Sequence, residues 1–316
     1  MIEFFSRAQA NIARGSLSSL RDLLEGFRQQ QVNGVVEISF EQREWIDLLL
    51  LNGETVGAYH LTDRSSNTIA VSNPEQWWQG ESATIRTLNL PTNALRIISM
   101  ACEWHPPAQS LLIQSSGLPG VLRVFLENKT SGLLHVIDSA GELAVPLMDG
   151  YPVAGEAVYS AAQMTSGRQA LERGLQPASN NCTVRLYEAR PGTTSFKQLV
   201  LRQVVAEMTG NVLTRYNRIV GSNLLRVMGN EMNQVLRYNR LQMQFVGEQF
   251  DNSHIFRSMD EATRSYNVLF RALYMHMTQV IGGGLAGKLQ KEAYHNLNPR
   301  SQVAIDAQSI LNTAHW

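Results

Sequence analysis

The sequence predicts an α+β protein: two tandem copies of a helix-and-antiparallel-sheet unit, followed by an all-α helical bundle. Three observations carry this. A pattern of apolar residues and glycines recurs about 98 residues later in the chain. Each copy holds an Asn-Gly or Asp-Gly pair between two apolar runs, the strongest short-range signal of a β-hairpin. From about residue 210 the β-branched alternation gives way to three- and four-residue apolar spacing, one face of a helix.

In the first copy, Leu20, Leu23, Leu24 and Phe27 share one helical face; in the second, Leu118, Val121, Leu122 and Phe125 do. Asn33-Gly34 and Ser131-Gly132 then break the chain with residues suited to turns. The runs "VVEIS" and "LLHVI" follow as strands. A second strand ends at Asn52-Gly53 or Asp149-Gly150, and Thr55–His60 or Pro152–Tyr159 completes each hairpin. "ATIR" (Ala83–Arg86) and "CTVR" (Cys182–Arg185) mark a further strand, and helices are expected over Thr92–Cys102 and Ser195–Met208. The expected domains are 1–108, 109–209 and 210–316.

These motifs, "LSSLRDLLEGFRQQQVNGVVEI" with "LLLLNGETVGAYH" and "VLRVFLENKTSGLLHVI" with "VPLMDGYPVAGEAVY", resemble the DUF4388 or PATAN domain over roughly residues 15–205. The resemblance implies an adaptor in prokaryotic signalling, and it implies no catalytic residues. Asn33 departs from the Thr or Ser usual before the first glycine, and no receiver domain is attached.

In the third segment, Val212, Leu213, Tyr216, Ile219, Val220, Leu224, Val227 and Met228 follow helical spacing, interrupted by Gly221 and Gly229; Val235, Leu236, Leu241 and Phe245 continue it. "SMDE" (Ser258–Glu261) has the form of a capping box, with Glu261 reaching back. "VIGGGLAGKL" (Val280–Leu289) imitates a phosphate-binding loop through Gly282, Gly287 and Lys288. It lacks the Ser or Thr that would hold Mg²⁺, Leu289 standing there, and a helical pattern precedes it instead of a strand. The expectation is a helix-breaking turn that binds no nucleotide.

Composition excludes several classes. The chain has 27 Lys and Arg against 27 Asp and Glu, so no strong global field draws in nucleic acid or membrane. The charge is uneven: from residue 200 onward 12 basic residues face 8 acidic ones. Cys102 and Cys182 give neither a disulfide framework nor metal spacing, and reduced buried thiols are expected. The N-terminus is too polar for a signal peptide, and no apolar run is long enough to span a bilayer, so a cytoplasmic location is expected.

No catalytic group, metal site or cofactor is predicted. His105 in "CEWHPP" reads as a linker turn and His276 as a hydrogen-bonded or solvated helix residue. The candidate interaction surface is Arg215, Arg218, Arg226, Arg237 and Arg240, with Trp77 and Trp78 as apolar anchors. The expected function is a non-enzymatic scaffold whose partners are other proteins, itself included. The rivals are a nucleic-acid-binding regulator using the basic helices and a small-molecule sensor.

Overall fold

The structure is a computed structural model. It describes residues 4–5, 10–40, 44–62, 66–68, 82–176 and 180–310, and the chain divides into two compact units, 1–195 and 196–316.

The first unit opens with β1 (Ala10–Gly15), α1 (Leu17–Gln30), β2 (Gly34–Ser39), β3 (Glu44–Leu51), β4 (Glu54–Thr62), β5 (Ser66–Thr68), β6 (Ala83–Asn89) and α2 (Thr92–Glu103). It continues with β7 (Leu111–Gln114), α3 (Leu118–Glu127), β8 (Gly132–Ile137), β9 (Glu142–Met148), β10 (Tyr151–Pro152), β11 (Val158–Ser160), β12 (Met164–Ser166), α4 (Arg168–Gly174) and β13 (Asn181–Glu188). The first sheet runs β1-β6-β2-β3-β4-β5, and the second, read from its other edge, β7-β13-β8-β9-β11-β12. Taken in chain order these are the same arrangement, and every pairing is antiparallel. The short strand β10 pairs with β9 beside this path.

The repeat extends to the core. Leu20, Val36, Ile38, Ile46, Leu48 and Leu50 pack under α1. Leu118, Leu134, Val136, Leu143, Val145 and Leu147 take the matching places under α3. Both hairpin turns carry two residues of positive φ, Asn52 (51°) with Gly53 (77°) and Asp149 (49°) with Gly150 (86°), the type I′ geometry whose twist suits the strands.

Asn33 does the same work in the first copy as Ser131 in the second. The Asn33 Oδ1 accepts from the Asn52 N–H at 2.6 Å, and the Ser131 Oγ from the Asp149 N–H at 3.1 Å. The adjoining backbone bonds also match: Gly53 N–H to Val32 O at 2.7 Å, and Gly150 N–H to Thr130 O at 2.8 Å. Asn33→Ala should therefore cost about 1 kcal/mol in a urea titration, and Asn33→Ser less than half of that, because only alanine removes the side-chain acceptor offered to the Asn52 N–H.

The copies differ in one strand. β4 is continuous, whereas the expected strand over 152–159 is broken by a 3₁₀ turn at Ala154–Glu156. The break brings Glu156 to Arg96 of α2, Nε to Oε2 at 2.7 Å, with both side chains buried. α2 lies against both sheets, and for that reason it is apolar almost all round, from Ala94 to Cys102.

The second unit takes α5 (Thr194–Tyr238), β14 (Met243–Val246), β15 (Gln249–Asn252), α6 (Met259–Ile281), α7 (Gly283–His295) and α8 (Pro299–Ala307). Two expectations are corrected here. The bundle is not all-α: β14 and β15 form a hairpin around Gly247-Glu248, with Gly247 at φ 60°. Met243 and Phe245 are buried, while Gln244 and Val246 are exposed, a two-residue period that the helical reading of Phe245 overlooked. The helix expected over Ser195–Met208 also does not close the second copy. It opens α5, and Leu201, Val204, Val205 and Met208 belong to the core of the helical unit.

"VIGGGLAGKL" is a turn between helices. α6 runs to Ile281, Gly282 alone leaves helical geometry (φ 79°, ψ 152°), and α7 starts at Gly283. The Ser258 Oγ accepts from the Glu261 N–H at 3.2 Å. Glu261 reaches one residue further back than a capping box requires, accepting from the Arg257 N–H at 2.6 Å. The facing His254 and that bond together hold the Glu261 carboxyl below its ordinary range against the opposing effect of burial.

Candidate interaction surface and a buried polar row

The five arginines do not form one stripe. α5 is two helices joined at a kink, because Gly221 is non-helical (φ 81°, ψ 166°). Arg215 and Arg218 precede the break, Arg226 and Arg237 follow it, and Arg240 lies beyond the helix end with φ 57°. Arg215 is half-buried and its Nη1 bonds Glu292 of α7. Arg218, Arg226, Arg237 and Arg240 are exposed. The Arg237 Nε donates to the Asn233 carbonyl at 3.1 Å, along its own helix.

Three residues assigned to the apolar face of this helix lie outside the core: Ile219, Leu224 and Val227 are exposed, between the arginines. Tyr216 is fully buried, whereas Tyr238 is 89 % exposed. Trp77 and Trp78 lie outside the described residues.

His276 Nδ1 meets Glu231 Oε2 at 2.7 Å, so this histidine joins α6 to α5. His105 joins the end of α2 to the end of β13: its backbone N–H donates to Glu188 O at 3.0 Å, and Arg190 Nη2 lies 2.9 Å from its Nδ1. Both cysteines are buried, and they form no disulfide with each other. Among the described residues, no three His, Cys, Asp or Glu side chains stand where they could share a metal ion.

Sequence reasoning missed a polar row inside the first unit. Arg86 of β6, Glu37 of β2, Asp47 of β3 and Tyr59 of β4 are successive cross-strand partners and so share one face of the sheet. It is the face opposite α1, and the Tyr59 hydroxyl meets α2 there, 2.7 Å from Ser99 Oγ and donating to Glu103 Oε1 at 3.2 Å. Glu37 and Asp47 are 4 % and 1 % exposed. Arg86 Nη1 stands 4.0 Å from Glu37 Oε2, while among the described residues neither carboxylate oxygen of Asp47 has a hydrogen-bond partner.

Burial raises the Glu37 carboxyl, and the Arg86 guanidinium pulls it back down. Burial, with the neighbouring Glu37 charge adding to it, pushes Asp47 up to about 8. A carboxyl in that position holds its proton at neutral pH.

In the second sheet the place of Glu37 is taken by His135, fully buried, with Nε2 3.0 Å from Glu142 Oε2 and its ring stacked on Phe4 at 4.2 Å. The signal for these rows was present. "WIDLLLL" and "LLHVI" are apolar on both alternating sets, the mark of a strand covered on both faces, so a polar residue within them is also covered.

No family model matches this sequence, and no curated protein matches it. Among the described residues, no helix is long and apolar enough to cross a membrane.

Proposed function

We propose that this chain is a non-catalytic adaptor of the prokaryotic cytoplasm that binds other proteins through its helical unit, in signalling or in the assembly of a larger machine. One observation carries the reading. Along α5 the exposed arginines Arg218 and Arg226 alternate with the exposed aliphatic residues Ile219, Leu224 and Val227. A phosphate backbone has no use for aliphatic contacts, whereas a protein partner uses both kinds. The PATAN resemblance supports the signalling context. The duplicated sheets support the role of a rigid frame, since α2 packs against both of them.

Nucleic-acid binding is the second reading, favoured by the basic excess of this segment. The engagement of Arg215 by Glu292 and the separation of the arginines by Gly221 weigh against it. The full chain should bind duplex and single-stranded oligonucleotides only weakly by fluorescence anisotropy at physiological salt. Submicromolar binding that falls steeply between 50 and 200 mM salt, and is lost in Arg218→Ala with Arg237→Ala, would reverse the order of the two readings.

A further inference from the structure

The helical unit carries a second internal repeat, with a period of 61 residues. Gly221 and Gly282 break their helices in nearly the same conformation, φ 81° and ψ 166° against φ 79° and ψ 152°. Buried residues coincide on either side: Val212 with Leu273, Leu225 with Ala286, and Met228 with Leu289.

The ion pairs coincide as well. Arg215, before the first break, pairs with Glu292, after the second; His276, before the second break, pairs with Glu231, after the first. A shift of 61 residues carries Arg215 to His276 and Glu231 to Glu292. Each helix–glycine–helix elbow thus holds the other reciprocally, as subunits do across a twofold axis, where residue i meets j and j meets i.

What the elbows leave exposed is also shared. Ile219 and Val280 are 47 % and 41 % exposed, and Leu224 and Leu285 are 44 % and 39 % exposed. Each pair brackets its glycine at the same spacing. No acidic residue occurs in the chain between Glu207 and Glu231 or between Glu261 and Glu292, and the carboxylates that reach the elbows from elsewhere, Glu292 at Arg215, Glu231 at His276 and Glu248 at Asn217, are each held by a partner. Exposed cations flank both: Arg218 and Arg226 on one, Arg271 and Lys288 on the other, with Lys288 at 3.9 Å from Glu292.

We propose that the helical unit is a fused pair of equivalent docking elbows, each taking an acidic amphipathic helix from a partner protein, two such helices per chain. The proposal rests on the adaptor reading and specifies its partner. The aliphatic pair supplies the apolar contact that an amphipathic helix makes in a groove. The excess of exposed cations, Arg218, Arg226, Arg271 and Lys288, selects acidic flanks and disfavours elbow-to-elbow pairing between copies of this chain.

The test is a calorimetric titration of the full chain with a synthetic helix bearing leucines at i, i+3, i+4 and i+7 and glutamates elsewhere. Two peptides should bind per chain, and affinity should fall roughly tenfold as salt rises from 50 to 500 mM and screens the charges. Ile219→Ser with Leu224→Ser should leave one peptide per chain, Val280→Ser with Leu285→Ser likewise, and the four changes together none. None of the four side chains belongs to the buried core, so circular dichroism should show the helical content retained in every variant.

A single site in the unaltered chain, or binding that ignores these changes, would overturn the paired elbows while leaving a protein-binding adaptor standing. Binding to phosphatidylserine vesicles without binding to the peptide would overturn the choice of partner. Indifference to the peptide combined with tight duplex DNA binding would remove both this proposal and the adaptor reading.

Discussion

Gly53→Ala is expected to prevent stable folding of the first sheet, with a cost above about 4 kcal/mol, the range reserved for a few severe mechanisms. Two of them act together here. Gly53 has φ 77°, where a Cβ is strained in any surroundings. That Cβ would also lie 2.3 Å from both Phe27 O and Arg28 Cα, the backbone at the end of α1. Backbone cannot move aside as a flexible side chain does. Gly150→Ala should act alike on the second sheet, its Cβ meeting Leu126 Cα at 2.4 Å and Phe125 O at 2.6 Å. Gly167→Ala is the control: φ 73° with ψ −154° is a region essentially confined to glycine, at a conformational cost of about 1–3 kcal/mol, but nothing lies within 4 Å of its Cβ, so no contact adds to it. Urea denaturation followed by circular dichroism checks all three, and a midpoint for Gly53→Ala equal to that of Gly167→Ala would refute the close-contact argument.

The second large effect is a dependence of stability on pH that Asp47→Asn removes. Asp47 titrates near 8 in the folded chain against about 3.9 in an unfolded one. The fold therefore prefers the protonated form. Its contribution is fully present below pH about 4, and it is lost as pH rises through about 8. The loss over that window is on the order of a few kcal/mol. Glu37, Arg86 and Tyr59 complete the row and stay in place in the variant. Asparagine resembles the neutral acid, so the variant should match the unaltered chain below pH about 4 and exceed it in stability at pH 9. Parallel stability curves for the two proteins across this range would show that Asp47 does not carry the proton.

Much of the architecture was legible because turns and core positions have strict chemical demands. Asn52-Gly53 and Asp149-Gly150 name a turn type, and the apolar residues of α1 and α3 name a face. The edge strands β1 and β7 were not legible, since "ANIARG" and "LLIQ" are largely exposed and show no alternation tied to burial. The polar row was hidden for a different reason. Glu37, Asp47 and His135 alternate with core residues as outward positions would, and the one signal against that reading was that their other neighbours on the same face are apolar too, the mark of a strand covered on both sides. On α5 the glycine at 221 was visible, but not its positive φ, which divides the arginines between two helices.

Sheet follows sheet and elbow follows elbow, with periods of about 98 and 61 residues, so each pair of like parts lies within one polypeptide. One consequence is freedom to diverge. In a homodimer Arg215 and His276 would have to be the same residue, as would Glu37 and His135; within a single chain each twin drifts alone.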